Sequence, residues 1–188
     1  MHFVLLLLMT AAAPPSSSLT GADGTLSWSV RADGDRLLVD GRSPKWTVRH
    51  VARRDLQPIR TERTADGHTV TVAYSDSGAV VTLPNKTVTV ERAGLWDSET
   101  VDVRLGSLVA AGTKTADFAA VDFGNGKVYE FQARLVGEET CGGDPCSHMR
   151  VTLAGLLKPV GPKWHFWFGI DGRLLRFDGP LGKFEAEG

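Results

Sequence analysis

The residues with the clearest chemical potential gather between Glu138 and His148. Glu138 and Glu139 are adjacent carboxylates, Cys141 and Cys146 flank Gly-Gly-Asp-Pro, and His148 follows two residues later. Two carboxylates serve one substrate as general acid and base only if both face it. On a strand, neighbours point to opposite faces, so this pair reads as solvated charge at a strand end. Thiols this close, with a tight turn between them, reach disulfide distance, and a ring so small contributes about 2 kcal/mol by loop closure. Metal ligation by the cysteines and His148 is the alternative. Structural zinc takes four ligands and no further Cys or close His pair is present, so Cys141 and Cys146 are expected as a disulfide, with no metal site.

The other histidines, His50, His68 and His165, are far apart in sequence and read singly as surface or core residues of strands. No Gly-x-Ser-x-Gly, His-Glu-x-x-His, phosphate-binding glycine loop or Gly-x-Gly-x-x-Gly occurs. The expectation is a protein that is not an enzyme, with no catalytic residue and no cofactor. A hydrolase built from His148, Glu138 and Asp171 would need those three to converge in one pocket.

Aromatic residues supply the second candidate. In Trp164-His165-Phe166-Trp167-Phe168, a strand places Trp164, Phe166 and Phe168 on one face and His165 and Trp167 on the other. Either the strand is core on both faces, or one face joins Trp28, Trp46 and Phe131 around a cavity for an apolar ligand. Spacing does not separate the two. Trp28, Trp46, Phe131, Trp164, Phe166 and Phe168 are therefore the candidate ligand-binding residues.

The elements that must position these residues are short strands. Asp23-Gly24, Asp33-Gly34, Asp66-Gly67, Asn125-Gly126 and Asp171-Gly172 are hairpin-type turn signals. Between the early ones lie Leu26–Val30, Arg36–Val39, Trp46–Ala52, Pro58–Arg63, His68–Tyr74, Ala79–Leu83 and Lys86–Arg92. In His68–Tyr74, Val70 and Val72 share one face and the threonines the other, the alternation of an antiparallel sheet with one dry side. Asp97–Ala111 breaks the pattern. Val101, Leu105, Leu108 and Val109 fall at helical spacing, with Asp97 or Ser98 as cap and Gly112 as stop, although Val101, Val103 and Leu105 also suit a strand. We read it as one helix across the open face or mouth of the sheet. Strands resume over Asp117–Phe123, Lys127–Glu139, His148–Leu157, His165–Ile170, Arg173–Asp178 and Lys183–Glu187. About a dozen consecutive strands curl rather than lie flat, so the expected fold is mainly β. A single antiparallel curved sheet forms an incomplete or closed barrel, with one short helix packed on it.

With 188 residues and a net charge of −1, the chain suits a single domain. Its basic residues are spread out, which argues against nucleic acid as a partner. No apolar run is long enough to span a bilayer, so an integral membrane protein is not expected. Phe3–Met9 is an apolar block, followed by Ala11-Ala12-Ala13 and Pro14–Ser18, like a secretory signal and its cleavage zone. Residues 1–20 are expected as a signal peptide or disordered leader and 21–188 as one barrel-like domain. Together with the disulfide, this predicts a periplasmic or secreted protein.

Arg53–Arg63 (RRDLQPIRTER), Leu95–Leu108 (LWDSETVDVRLGSL), Tyr129–Thr140 (YEFQARLVGEET) and Trp167–Asp178 (WFGIDGRLLRFD) come in an order that resembles domain of unknown function 3108, a family of exported bacterial proteins. The likeness runs over about residues 46–178. It rests on Leu56-Gln57-Pro58, Asp97, Val136-Gly137-Glu138 and Phe168–Arg173. The resemblance implies an incomplete barrel similar to periplasmic lipoprotein carriers, its concave apolar face covered by a helix, and it implies no activity. An apolar or lipid ligand and a cell-envelope protein are the expected partners. A carrier with a hollow interior is one reading; an envelope scaffold or assembly factor packed solid beneath the helix is the other.

Overall fold

The computed structural model describes residues 15–155 and 161–186. The apolar block Phe3–Met9, and Leu156, Leu157 and Glu187 at the ends of expected strands, lie outside the described residues. An antiparallel meander opens the fold: β1 (Ser17–Gly21), β2 (Gly24–Asp33), β3 (Arg36–Arg42), β4 (Trp46–Arg53), β5 (Pro58–Ala65), β6 (His68–Ser75), β7 (Gly78–Leu83) and β8 (Lys86–Val90). Next come β9 (Trp96–Asp97), a 3-10 turn (Ser98–Thr100), helix α1 (Val101–Ala110) and β10 (Thr115–Val121). A second meander follows, of β11 (Val128–Cys141), β12 (Asp144–Leu153), β13 (Lys163–Gly169), β14 (Leu174–Gly179) and β15 (Gly182–Glu185).

All fifteen strands belong to one sheet that runs from β8 through β1, then from β15 to β9, and does not close. Its pairings are antiparallel except between β9 and β10. Parallel neighbours need a crossover, and α1 supplies it. The two meanders are joined by β1, which pairs with β2 on one side and β15 on the other. This corrects one boundary. Residues 17–20, assigned from sequence to the leader, are part of the sheet. Leu19 is fully buried, and the Ser17 hydroxyl accepts a hydrogen bond from the Leu174 backbone N–H at 3.1 Å.

Local sequence explains the meander. At Asp66-Gly67 both residues have positive φ, 51° and 74°, giving the two-residue turn whose twist suits a hairpin. Val70, Val72 and Tyr74 alternate onto one face of β6 and pack with Val88 and Val90 of β8 in one apolar cluster. That cluster also holds Ala119 and Val121 of β10, whereas Phe118 and Ala120 point into the main core with Trp28 and Phe166. Thus β10 is covered on both faces. Strands β6–β8 lie over its outer side, so the sheet rolls past itself instead of meeting edge to edge.

The helix packs against β13 and β14. Leu105 is fully buried, and Val101, Leu108 and Val109 pack on the same core, the stripe expected from their spacing. A Cβ at Gly106 would strike the Gly172 carbonyl oxygen, and one at Gly172 would strike that of Gly106. Two glycines therefore let the helix backbone sit directly on the β13–β14 turn.

The disulfide Cys141–Cys146 is formed, with Cα atoms 5.9 Å apart. Its hairpin extends further than expected: Asp144 and Pro145 are paired, and the turn shrinks to Gly142-Gly143. The bridge packs on Trp167 and Leu175 on the outer face.

Candidate ligand cavity and the acids around it

Inside the curve of the sheet lies a cavity of about 500 Å³. Trp28, Trp46, Phe131, Trp164 and Phe166, five of the six candidate residues, stand on its wall. Alternation explains the convergence, since each sits at an inward position of β2, β4, β11 or β13. Rings meet in series along the wall. Phe118 stacks on Phe131 at 5.3 Å between centroids, Phe131 meets Trp164 edge-on at 5.7 Å, and Trp28 leans on Trp46 at 5.5 Å. A Cβ at Gly41, directly opposite Trp28 on β3, would overlap the indole, so this glycine makes room for the ring. Exposed Pro162, Pro180 and Leu181 mark the mouth. Leu181 is 58% exposed there.

Phe168 does not stand on that wall. It is fully buried, with its ring close to Gly106 of the helix. The interior is therefore solid beneath the middle of α1 and hollow at its N-terminal end.

That end contributes polar groups: Ser98, Glu99 and Asp102 line the cavity, with Asp122 from the segment after β10. Burial pushes the Glu99 carboxyl up to about 7, against the pull of Arg63, whose Nε lies 3.3 Å from it. Burial likewise pushes Asp102 up to about 7, against the smaller opposing pull of its own and the Val103 backbone amides. Among the described residues no Lys, Arg or His lines the cavity.

Asp97, five residues before Asp102, is held differently. One carboxylate oxygen accepts the Glu99 backbone N–H at 2.9 Å and so caps the 3-10 turn that leads into α1. The other accepts hydrogen bonds from the Thr61 hydroxyl and, at 2.8 Å, from Tyr74. Thr61 spends its one proton on Asp97, so its oxygen receives the Nδ1–H of His50 at 2.6 Å, which fixes the tautomer. Burial would push Asp97 up, but His50, Thr61 and Tyr74 together hold its carboxyl below the usual range. Burial, then the Asp97 charge, drives the Tyr74 phenol well above its ordinary value. This chain ties β9 to β4, β5 and β6 across the interior. The adjacent void, bordered by His50, Asp97 and Arg104, measures about 10 Å³, space for one water and no substrate.

A third polar group lies on the outer face. His148 Nδ1 is 2.9 Å from Glu139 Oε1, and its Nε2 is 2.8 Å from His165 Nδ1. Trp167 stacks on His148 and donates its Nε1–H to Glu139 at 3.0 Å. That bond, then burial's opposing push and the nearby His148, leave the Glu139 carboxyl below its ordinary range; burial, then His148, lowers His165. The histidines are thus not isolated, as their sequence spacing had suggested. Register brings them together, because His148 pairs with Trp167 and Arg150 with His165. Of the trio His148, Glu138 and Asp171, His148 bonds to Glu139 and His165, Glu138 is exposed, and Asp171 accepts the Arg173 backbone N–H in its turn. Among the described residues no group of three or more His, Cys, Asp or Glu is placed to hold a metal ion. No described helix is long and apolar enough to cross a membrane.

No protein-family model matches the chain, and no curated protein matches it. Among solved structures it is similar to the β-barrel-like protein of Domain of Unknown Function DUF1849 from Brucella abortus, with a TM-score of 0.56 and 10% identity. The match covers 92% of this chain and 93% of that one. At such low identity the likeness carries the fold alone. It supports a barrel-like architecture and does not point to domain of unknown function 3108 in particular.

Proposed function

We propose that this protein is a non-enzymatic carrier that holds an apolar ligand in the concave face of its curved sheet, outside the cytosol. One observation carries the reading: aromatic residues from four separated strands converge on one hollow of about 500 Å³, within the size range of small-molecule sites. A core that only needed filling would close such a space, since each buried void forgoes packing energy. The Cys141–Cys146 bridge supports an oxidising compartment.

Native mass spectrometry of protein purified from its own cells tests the proposal. The expected result is a retained apolar species, released on denaturation and absent after the hollow is filled by Ala120→Trp. Protein that is always empty and takes up no apolar compound would favour the scaffold reading, for which the packed Leu105–Phe168 seat beneath α1 is the supporting observation.

A further inference from the structure

The cavity wall is one-sided in charge. Its ionisable side chains are Glu99, Asp102 and Asp122, and no described basic side chain shares the wall. Two of these acids are already served. Glu99 faces Arg63, and Asp122 Oδ1 accepts the Gly124 and Asn125 backbone N–H groups. Asp102 is 7% exposed, and among the described residues no cationic side chain pairs with it. Three residues apart at a helix start, Glu99 and Asp102 lie on the same side and present two carboxyls to one space.

We propose that the ligand carries a cationic head, an ammonium or quaternary ammonium group on an apolar body, seated between Asp102, Glu99 and the faces of Trp28, Trp46 and Trp164. The inference rests on the hollow being a ligand site and adds the class of ligand. Aromatic faces attract cations through their quadrupole, most strongly when water is excluded. The same contact occurs twice elsewhere in this molecule, with Arg104 lying 4.3 Å from the Trp96 ring centre and Arg176 4.4 Å from that of Trp167. The positive end of α1 also points this way, and alone would favour an anion. It is countered there by the carboxyls of Asp102 in the first turn and of Glu99 in the 3-10 turn just before it, both on the cavity wall. A carboxylate head would meet three acids. A hydroxyl head would gain one hydrogen bond and no charge contact.

Tryptophan fluorescence titrations at pH 8 with decyltrimethylammonium, decanol and decanoate, below their aggregation thresholds, test the assignment. Near-ultraviolet circular dichroism confirms that the fold persists throughout. The expected order is the cation first, by about tenfold over decanol, with decanoate last. Asp102→Asn should abolish the preference and Glu99→Gln should reduce it, while decanol binding stays the same. Calorimetry at pH 7 in two buffers supplies a second readout. The quaternary cation has no proton to give, so any proton released comes from carboxyls, Glu99 and Asp102, that ionise beside it. Equal binding of all three compounds, indifferent to both substitutions, overturns the head-group assignment and leaves the cavity reading standing. No binding of any of them to folded protein overturns both.

Discussion

Asp97 and Asp102 stand five residues apart around the start of α1 and are 4% and 7% exposed, yet their carboxyls are shifted in opposite directions. Asp97 sits in a closed chain of donors from β4, β5 and β6, which holds it ionised. Asp102 faces a hollow lined by indole and phenyl rings, aliphatic side chains and two further acids, and burial pushes its carboxyl up to about 7. Depth alone does not set the cost of a buried carboxylate; the donors around it do. One acid finishes a structural clasp, and the other faces the hollow with no side-chain donor of that kind among the described residues.

Removing the clasp should have the largest effect. Asp97→Ala leaves Thr61, Tyr74 and the helix cap without their acceptor, and losing one member of a buried charged network costs about 3–5 kcal/mol. Urea unfolding measures it, and a loss under about 1 kcal/mol would erase the distinction between the two acids.

The cavity acids should show up as a pH dependence of opposite sign. Carboxyls whose folded value is raised to about 7 keep protons that the unfolded chain releases near pH 4, so stability is lost as pH rises through that window. The fall belongs to Glu99 and Asp102 with Arg63, Asp97 and Asp122 around them, and for Asp102 is on the order of 2–4 kcal/mol. Asp102→Asn should flatten the profile, being more stable than the parent at pH 8 and about equal at pH 4. Asp97, held low, contributes stability above pH ~4 and loses it only under more acid conditions. A profile unchanged by Asp102→Asn contradicts this division.

The helix seat holds both regions in place. Gly106→Ala should cost about 1–3 kcal/mol despite alanine's better helix propensity, because its Cβ meets the Gly172 carbonyl. Thermal unfolding decides the sign, and stabilisation would mean that the contact is loose. The smallest effect should come from Tyr74→Phe, which removes one of the donors to Asp97 and costs about 1–2 kcal/mol. Its acid limb should shift towards higher pH, while the Asp102 window stays where it was.

Local patterns carried much of this fold in the sequence, as the valines of His68–Tyr74 and the helical stripe Val101–Val109 show. Alternation also put Trp164 and Phe166 on one face and His165 and Trp167 on the other, although spacing did not say which face turned inward. What escaped depends on distant pairing. Asp97 was legible as a cap, but its partners Thr61 and Tyr74 are set by how the sheet curls. His148 and His165 meet because of a register between β12 and β13 that neither strand encodes alone. β1 hid in the Pro-Ser stretch of a signal-like terminus, its one buried apolar side chain, Leu19, giving no periodicity. Phe168 shares a face with Phe166, yet it falls beneath α1 rather than beside the hollow, a distinction of depth along the barrel that alternation cannot express.

The hollow itself is best tested with a neutral fluorescent apolar probe, phenylnaphthylamine, titrated into the protein and into Ala120→Trp. Ala120 is 1% exposed and lies on the cavity wall, so a tryptophan there occupies the space that a ligand would take. Saturable binding of one probe per chain, with energy transfer from tryptophan, and its loss in the folded variant are the predicted results. Absence of saturable binding, or binding undiminished by the filled cavity, would contradict a ligand site inside the sheet.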